Sequence, residues 1–595
     1  MDLIDILHSL PLFAALPRER LEPLARQARL QRLGSGELLY QAGDTATEFH
    51  LLVHGRLQVM ANGQALGQVS RGEPIGEMSV ISGENRKADV RALRDSVVLA
   101  LPAITLTNFL TEHPESHWQM TRLIIERARK SAVQVQRAKR GCQNIALIAA
   151  SPGLPVLRLA EQWVRHLPAW PSTRLVTAAQ IDTLFGDGTG DGAAQTATDH
   201  SADDLAISSW FAELEGQHAH LVFAAQQVDE PWLLRCLRQA DRILVLASAN
   251  DEPQMNAALL ALQGQQRLAP VELVLLRPEG DSSPHTSAWC KATRARAHYY
   301  VRAGSADDLA ALARQTTGRG IGLVLGGGGA RGFAHIGLMR AMEQLQIHVD
   351  VVGGTSMGAF VAAMVACDFD SVEMTYIARE TFVNHNYLND YTLPRVSLIR
   401  GQRFHARLQA VFGARRIEEL RRTFYCISTN LSTGHPVVHD YGGLATWVGT
   451  SMSVPGVAPP IAWEGDLLCD GGVVNNLPTD VMRGLERGLI LASNVSSEDD
   501  LRAPGAGRGE PDQQALLNWK GSGRIPRLSE ILMRSATLTS ETITRDAAIA
   551  RADIYLRMPV TDIGMFAWDQ LDTLIERGYD YAMEELPKVI PQAAS

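Results

Sequence analysis

Ile321-Gly322-Leu323-Val324-Leu325-Gly326-Gly327-Gly328-Gly329-Ala330-Arg331-Gly332-Phe333 opens the stretch on which the reading of this chain turns. Five residues of strand type run into four glycines, and from Phe333 the apolar residues recur at helical spacing. A second apolar run, Val349-Asp350-Val351-Val352, leads into Gly353-Gly354-Thr355-Ser356-Met357-Gly358 and another apolar helix that reaches Ala366. Gly354-x-Ser356-x-Gly358 fits the nucleophile-elbow pattern, in which a serine sits on a tight strand-to-helix turn. Glycine is needed on either side because a Cβ there would collide with the neighbouring strand and helix. A lone GxSxG is weak evidence. Its place between a predicted strand and helix, one βα unit after a glycine-rich turn, favours catalysis.

The first glycine cluster has two readings. Gly326, Gly327, Gly328 and Gly329, with Ala330-Arg331-Gly332, can turn backbone N–H groups toward an anion at the start of the following helix. A dinucleotide phosphate loop would also want an acidic residue at the end of a second strand, about 20 residues on. Asp350 is roughly placed for that but precedes its strand, and GTSMG stays unexplained. An oxyanion hole accounts for both clusters.

Ser356 needs a base. No histidine follows His439, so a late histidine after an acid can be drawn only from His385, His405, His435 and His439, none with distinctive surroundings. Leu467-Leu468-Cys469-Asp470-Gly471-Gly472 is the better candidate: a carboxylate at the end of an apolar run, presented on a tight turn with open space beside it. Alone, this motif would read as an ordinary Asp-Gly turn.

Around this core lie 595 residues, too many for one hydrophobic core. Hydrophobic content of 46% and charged content of 20% suit a folded globular chain, and a net charge of −9 argues against a nucleic-acid partner. The six cysteines, at 142, 236, 290, 367, 426 and 469, show no metal-ligand spacing and read as reduced thiols of a cytosolic protein. No signal peptide is visible at Met1-Asp2-Leu3-Ile4-Asp5, and no membrane span is expected.

Residues 1–120 contain short strand-like runs punctuated by glycine, the pattern of a small β-roll. Gly76-Glu77-Met78-Ser79-Val80-Ile81-Ser82-Gly83-Glu84-Asn85-Arg86-Lys87-Ala88, with Gly43-Asp44 and Gly55 upstream, resembles the phosphate-binding cassette of cyclic nucleotide-binding domains. The resemblance implies that Glu77 holds a ribose hydroxyl and that Arg86 pairs with a cyclic phosphate, making a cyclic nucleotide a candidate ligand. Carboxylate-to-hydroxyl and guanidinium-to-phosphate bonding make both roles sound. Lys87 departs from the pattern, standing where that family has a small residue, so either it points outward or it fills the pocket.

Residues 121–141 read as a basic connecting helix, with Arg122, Arg127, Arg129, Lys130, Arg137, Lys139 and Arg140: a solvated connector, or a face for anionic lipid headgroups. Residues 142–317 alternate strands and helices, implying an α/β domain with a parallel sheet. Its first strand is followed by Ser151-Pro152-Gly153-Leu154-Pro155, without the GxxxxGK[ST] phosphate loop. The 186–192 loop, Gly-Asp-Gly-Thr-Gly-Asp-Gly, fails as a calcium loop because Thr198 stands where the bidentate glutamate belongs. No metal or other cofactor is expected. Residues 491–595 read as a mobile loop, with glycines 505–509 and a Leu516-Leu517-x-Trp519-Lys520 patch, and then an extension of the catalytic domain.

GGGGARG, GTSMG and DGG in this order resemble the patatin-like phospholipase family over residues 318–490. The fold expected for the whole is α/β and multidomain: an N-terminal β-roll, a central parallel-sheet domain and a patatin-like α/β hydrolase domain. The family implies a Ser356–Asp470 dyad, an oxyanion hole at Gly326–Gly329, and hydrolysis of phospholipid or lysophospholipid esters at a peripheral membrane surface. His335 is expected to be structural. The three parts together resemble the bacterial relatives of neuropathy target esterase, departing from them in lacking a membrane-spanning N-terminus and in having one recognisable sensor domain. The location implied is cytoplasmic, peripheral on the inner membrane. The rival reading is a non-enzymatic regulator or scaffold that answers to a cyclic nucleotide.

Overall fold

The computed structural model describes residues 3–132, 143–277 and 285–590, apart from 11, 15, 62–63, 168–171, 186–201, 227–229, 264–268, 303 and all but scattered positions of 497–544. The loops at 186–192 and 505–509, Trp519, and Arg137, Lys139 and Arg140 of the basic segment lie outside the described residues. The chain divides into two compact units, Met1–Leu309 and Ala310–Ser595.

In the first unit, after helices Leu3–Ser9 and Arg18–Gln27, come β1 (Arg29–Leu33), β2 (Leu38–Tyr40), β3 (Glu48–Ala61), β4 (Gln64–Val69), β5 (Pro74–Ile75) and β6 (Asp89–Pro102). They pair antiparallel in the order β1-β6-β3-β4, with β2 on β6 and β5 on β3. Register shifts along the long β3–β6 pair bend it, as bulges do, and curl the sheet into a roll over Phe13, Phe49, Leu51, Leu99, Leu101 and Phe109. The helix expected from Thr121 is Pro114–Ala132; it starts earlier because Pro114 occupies the first helical position, where no N–H is missed. Among the described residues no helix is long and apolar enough to cross a membrane.

Next come β7 (Gln143–Ala149), β8 (Thr173–Val176), β9 (His220–Ala225), β10 (Arg242–Ser248), β11 (Val271–Arg277) and β12 (Ala297–Arg302). All pair parallel, in the order β12-β11-β10-β7-β9-β8. Central β10 is a continuous buried apolar run after Arg242, as a strand covered on both faces must be. The loop after β7 is occupied by its own protein: Ser248 N–H donates to Ser151 Oγ at 3.0 Å, and Asn256 Nδ2 to the Ala150 carbonyl.

Roll and parallel domain meet over buried charge. Arg94 of β6 forks onto Glu215 at 2.9 and 3.2 Å, Arg94 and Arg56 lie within 3.4 and 3.6 Å of Asp241, and Arg238 pairs with Asp95 at 3.0 Å.

The second unit holds β13 (Gly320–Leu325), β14 (Val351–Thr355), β15 (Thr423–Asn430), β16 (Pro436–His439), β17 (Ile461–Trp463), β18 (Asp466–Asp470), β19 (Gly488–Asn494) and β20 (Ile554–Arg557). Their order is β17-β18-β15-β14-β13-β19-β20, with β16 on β15. The run β15-β14-β13-β19-β20 is parallel; β16, β17 and β18 are antiparallel. Helix Ala334–Gln344 crosses the C-terminal helix Leu571–Val589 at glycines: a Cβ on Gly337 would lie 2.0 Å from the Ile575 carbonyl oxygen. The tail thus completes this core.

β14 starts two residues later than the sequence suggests. Asp350 is spent before it: Arg314 grips its carboxylate at 2.7 and 3.2 Å, and Ile321 N–H donates to it at 3.0 Å. It lies at the N-terminal edge of the parallel strands, opposite the edge where such sheets hold ligands.

Candidate active site

Strand β14 ends at Thr355, and Ser356 turns the chain directly into helix Met357–Ala366. Its backbone pays for that turn with φ +55° and ψ −124°, a region non-glycine residues rarely occupy. The flanking glycines let the helix end sit against β13: a Cβ on Gly358 would fall 2.1 Å from the Leu325 carbonyl oxygen, and one on Gly354 2.6 Å from the same atom. The strain holds the hydroxyl at the C-terminal edge of the sheet.

Asp470 closes β18, where it stands opposite Ser428 of β15 in the antiparallel register. Ser356 Oγ donates to Asp470 Oδ2 at 2.6 Å, and Gly472 N–H donates to Oδ1 at 2.8 Å. The carboxyl is fully buried, and that burial pushes its pKa up from 3.8 to about 6 against the lowering effect of these two bonds. Side chains 114 positions apart thus form a short hydrogen bond with a carboxylate poised near neutrality.

The glycine loop runs beside them. A Cβ on Gly327 would stand 3.0 Å from Ser356 Cβ. Two of its four N–H groups are already engaged, Gly326 to the Ser493 carbonyl at 3.0 Å and Gly327 to the Asn476 carbonyl at 3.4 Å. The N–H groups of Gly328 and Gly329 make no such backbone bond among the described residues. Ser356 N–H donates to Ser451 Oγ at 3.0 Å. Met357, which the sequence reading passed over, begins the helix, where an N–H has no intrahelical acceptor. Its position directly after the serine of GxSxG was the available signal.

His335 is fully buried, and both ring nitrogens are engaged within the protein: Nε2 bonds to the Gly326 carbonyl at 2.9 Å and Nδ1 to Ser493 Oγ at 3.0 Å. Burial drops its pKa to about 4, so it is neutral and ties the glycine loop to β19. His439 has more distinctive surroundings than its sequence context suggested. It is buried, stacked on Trp447 at 3.8 Å and hydrogen-bonded to Ser428 Oγ at 2.6 Å, with its pKa lowered to about 4 by burial. His405 lies on helix Gln402–Phe412, and His385 follows the π-helical turn Arg379–Asn384.

In the roll, Glu77 and Arg86 are both buried. Arg86 donates from Nη1 to the Gly76 carbonyl at 2.8 Å and from Nη2 to the Glu48 carbonyl, and its guanidinium lies 4.3 Å from the Tyr40 ring centre. Lys87 points outward and pairs with Glu84 at 2.7 Å. The two alternatives posed for Lys87 therefore resolve toward an open site at that position, but Arg86 is held by its own backbone.

Three family models match in series: a cyclic nucleotide-binding domain over 30–113, the P-loop-like domain of the neuropathy target esterase family over 142–320, and a patatin-like phospholipase over 323–483. Similar curated proteins include lysophospholipase NTE1 of Mycosarcoma maydis, 29% identical over 93% of this chain and 34% of that protein. Lysophospholipase nte1 of Aspergillus terreus is 28% identical over 94% of this chain and 42% of its own length. This chain thus spans well under half the length of these relatives. Among solved structures, a cyclic nucleotide-binding domain from Methylobacillus flagellatus matches 22% of this chain and 80% of its own, at 23% identity and a TM-score of 0.20. The C-terminal unit carries the patatin-like phospholipase domain, preceded in one polypeptide by a cyclic nucleotide-binding domain and the P-loop-like domain of the neuropathy target esterase family.

Proposed function

We propose that this protein is a serine esterase that hydrolyses acyl esters of lysophospholipids or phospholipids through a Ser356–Asp470 dyad. One observation carries the reading: the 2.6 Å bond from a serine on a strained strand-to-helix turn to a buried carboxylate of raised pKa. A serine hydroxyl attacks an ester only when a base takes its proton, and ionised Asp470 is in contact to take it. Oγ bonds to the acyl carbon, and the carbonyl oxygen becomes an oxyanion facing the Gly328, Gly329 and Met357 N–H groups. Such a donor contributes about 3–4 kcal/mol to the barrier reduction. Asp470 then returns its proton to the departing glycerol alkoxide, leaving an acyl-serine, and water repeats the sequence to release a fatty acid. The neutral, internally bonded His335 takes no proton in this scheme. The names of the relatives support a lysophospholipid as substrate.

A fluorophosphonate should label Ser356 alone, and Ser356→Ala and Asp470→Asn should each lose ester hydrolysis while remaining folded. Labelling of a different serine, or undiminished turnover in either variant, would remove the dyad.

Regulation by the roll belongs to the same proposal. A cyclic phosphate would compete for the Arg86 guanidinium with the Gly76 and Glu48 carbonyls, which already orient it, so affinity for cAMP or cGMP should be low. In calorimetric titrations Lys87→Ala should bind as weakly as the parent. Tight binding by the unaltered protein that Arg86→Ala abolishes would contradict this account. The peripheral, inner-membrane location is part of the proposal and rests on the substrate class.

A further inference from the structure

The second unit displays a short hairpin-like loop, residues 390–400, closed by an isolated bridge and apolar at its tip. Tyr391 bridges Ile399, Thr392 N–H donates to the Leu398 carbonyl at 3.0 Å, and Arg400 N–H to the Asp390 carbonyl at 2.9 Å. Ser397 Oγ closes the return strand onto the Ile399 carbonyl at 2.6 Å. A turn this thoroughly bonded usually shows water a polar tip. Here Tyr391, Leu393 and Val396 are 73%, 73% and 69% exposed, with Pro394 exposed between them. Arg395 and Arg400 are exposed beside them. Asp390, the nearby carboxylate, is turned to the backbone N–H groups of Gly401 and Arg403, and the Arg403 side chain is held by Asn389.

The hairpin is anchored beside the reacting groups. Leu398 and Ile399 N–H groups donate to the carbonyls of Gly456 and Val457, each at 3.0 Å. That segment follows Ser453, whose carbonyl accepts the Asp470 N–H at 2.9 Å, and leads into β17, where Trp463 is also partly exposed.

We infer that the 390–400 hairpin is the element by which this protein docks on a lipid surface bearing anionic headgroups, setting Tyr391, Leu393 and Val396 among the acyl chains and Arg395 and Arg400 among the phosphates. Apolar side chains flanked by cations are the composition of an interfacial segment. A second protein chain would bury the tip equally well but would call for carboxylates to meet the two arginines. A membrane offers both chemistries at once. It also delivers the ester at the edge where Asp470 lies, and in that respect the inference rests on the esterase reading.

The test uses the full chain and vesicles of phosphatidylcholine with or without phosphatidylglycerol. The parent should co-sediment, more strongly with phosphatidylglycerol and less at 1 M salt. Leu393→Asp/Val396→Asp should lower co-sedimentation by at least tenfold and slow hydrolysis of vesicle-borne lysophospholipid to match. Its rate on a soluble short-chain p-nitrophenyl ester should stay at the parent value. Arg395→Gln/Arg400→Gln, which disturbs no apolar contact, should erase the preference for phosphatidylglycerol, and this arm decides the matter if the aspartate variant misfolds. Unchanged co-sedimentation and unchanged headgroup preference would overturn the proposal. So would a drop in oligomeric state of the aspartate variant by light scattering, since the tip would then face a second copy. If the parent binds vesicles through the hairpin but hydrolyses no ester, the esterase reading fails and the docking surface stands.

Discussion

At the scale of single residues, the proposed dyad turns on the titration of Asp470. Its pKa, about 6 in the folded protein, lies above its ordinary 3.8, so the folded state holds the proton more tightly than the unfolded chain does. The stabilising contribution is complete below about pH 3.8 and is lost as pH rises through about 6. At neutral pH the ionised carboxylate therefore costs about 3 kcal/mol, at ~1.4 kcal/mol per unit of pKa. Asp470→Asn should unfold at a higher temperature than the parent at pH 7.5 and lose that advantage at pH 4, as calorimetry at the two pH values would reveal. An amide can still accept from Gly472 and donate to Ser356 Oγ, so the fold keeps both bonds. The proposed base acts in its ionised form, so kcat/KM should fall about tenfold per unit on the acid side of pH 6. A flat profile between pH 5 and 8 would mean that another group is the base. Ser356 and Asp470 were legible in the sequence because each sits in a local motif that marks its backbone. The division among the glycine N–H groups was not, since it depends on Ser493 and Asn476, far along the chain.

At the scale of elements, the β13–turn–helix and β14–turn–helix units are held by contacts that tolerate no added atoms. Gly358→Ala would drive a Cβ to 2.1 Å from the Leu325 carbonyl oxygen, backbone that cannot yield without moving a central strand. A loss of about 4 kcal/mol or more is expected, in the class of severe overpacking. Urea titration of the purified variant would measure it, and a loss under 1 kcal/mol would show that the elbow does not depend on this approach. Both elements could be read from apolar runs ending in glycine clusters. The β14 boundary could not, because Asp350 looks like part of the run until Arg314 and the Ile321 N–H are seen to claim it. The 390–400 hairpin escaped notice for a similar reason: Tyr391-Thr392-Leu393-Pro394 carries no period, and only the fold reveals which of its apolar side chains lack cover.

For the whole molecule, three sections of chain read in advance from composition and motif are present as a roll, a parallel sheet and a hydrolase domain. What holds the first two together was hidden, since Arg94, Glu215 and Asp241 stand out neither in spacing nor in neighbours. Burial raises the pKa of Glu215, while its Arg94 partner pulls the other way. Removing one member of a buried pair strands the other, at about 3–5 kcal/mol. Glu215→Ala should therefore lower the unfolding temperature of the Met1–Leu309 unit in calorimetry of the full chain, and an unchanged thermogram would assign the network no such role. The central claim, that Ser356 is the nucleophile of a lipid esterase, is tested most directly by release of fatty acid from a panel of lysophospholipids, the parent protein beside Ser356→Ala. The account predicts release from at least one lysophospholipid and a loss of about a thousandfold or more in the variant. Equal release by both proteins, or none by the parent on any member of the panel, would contradict it.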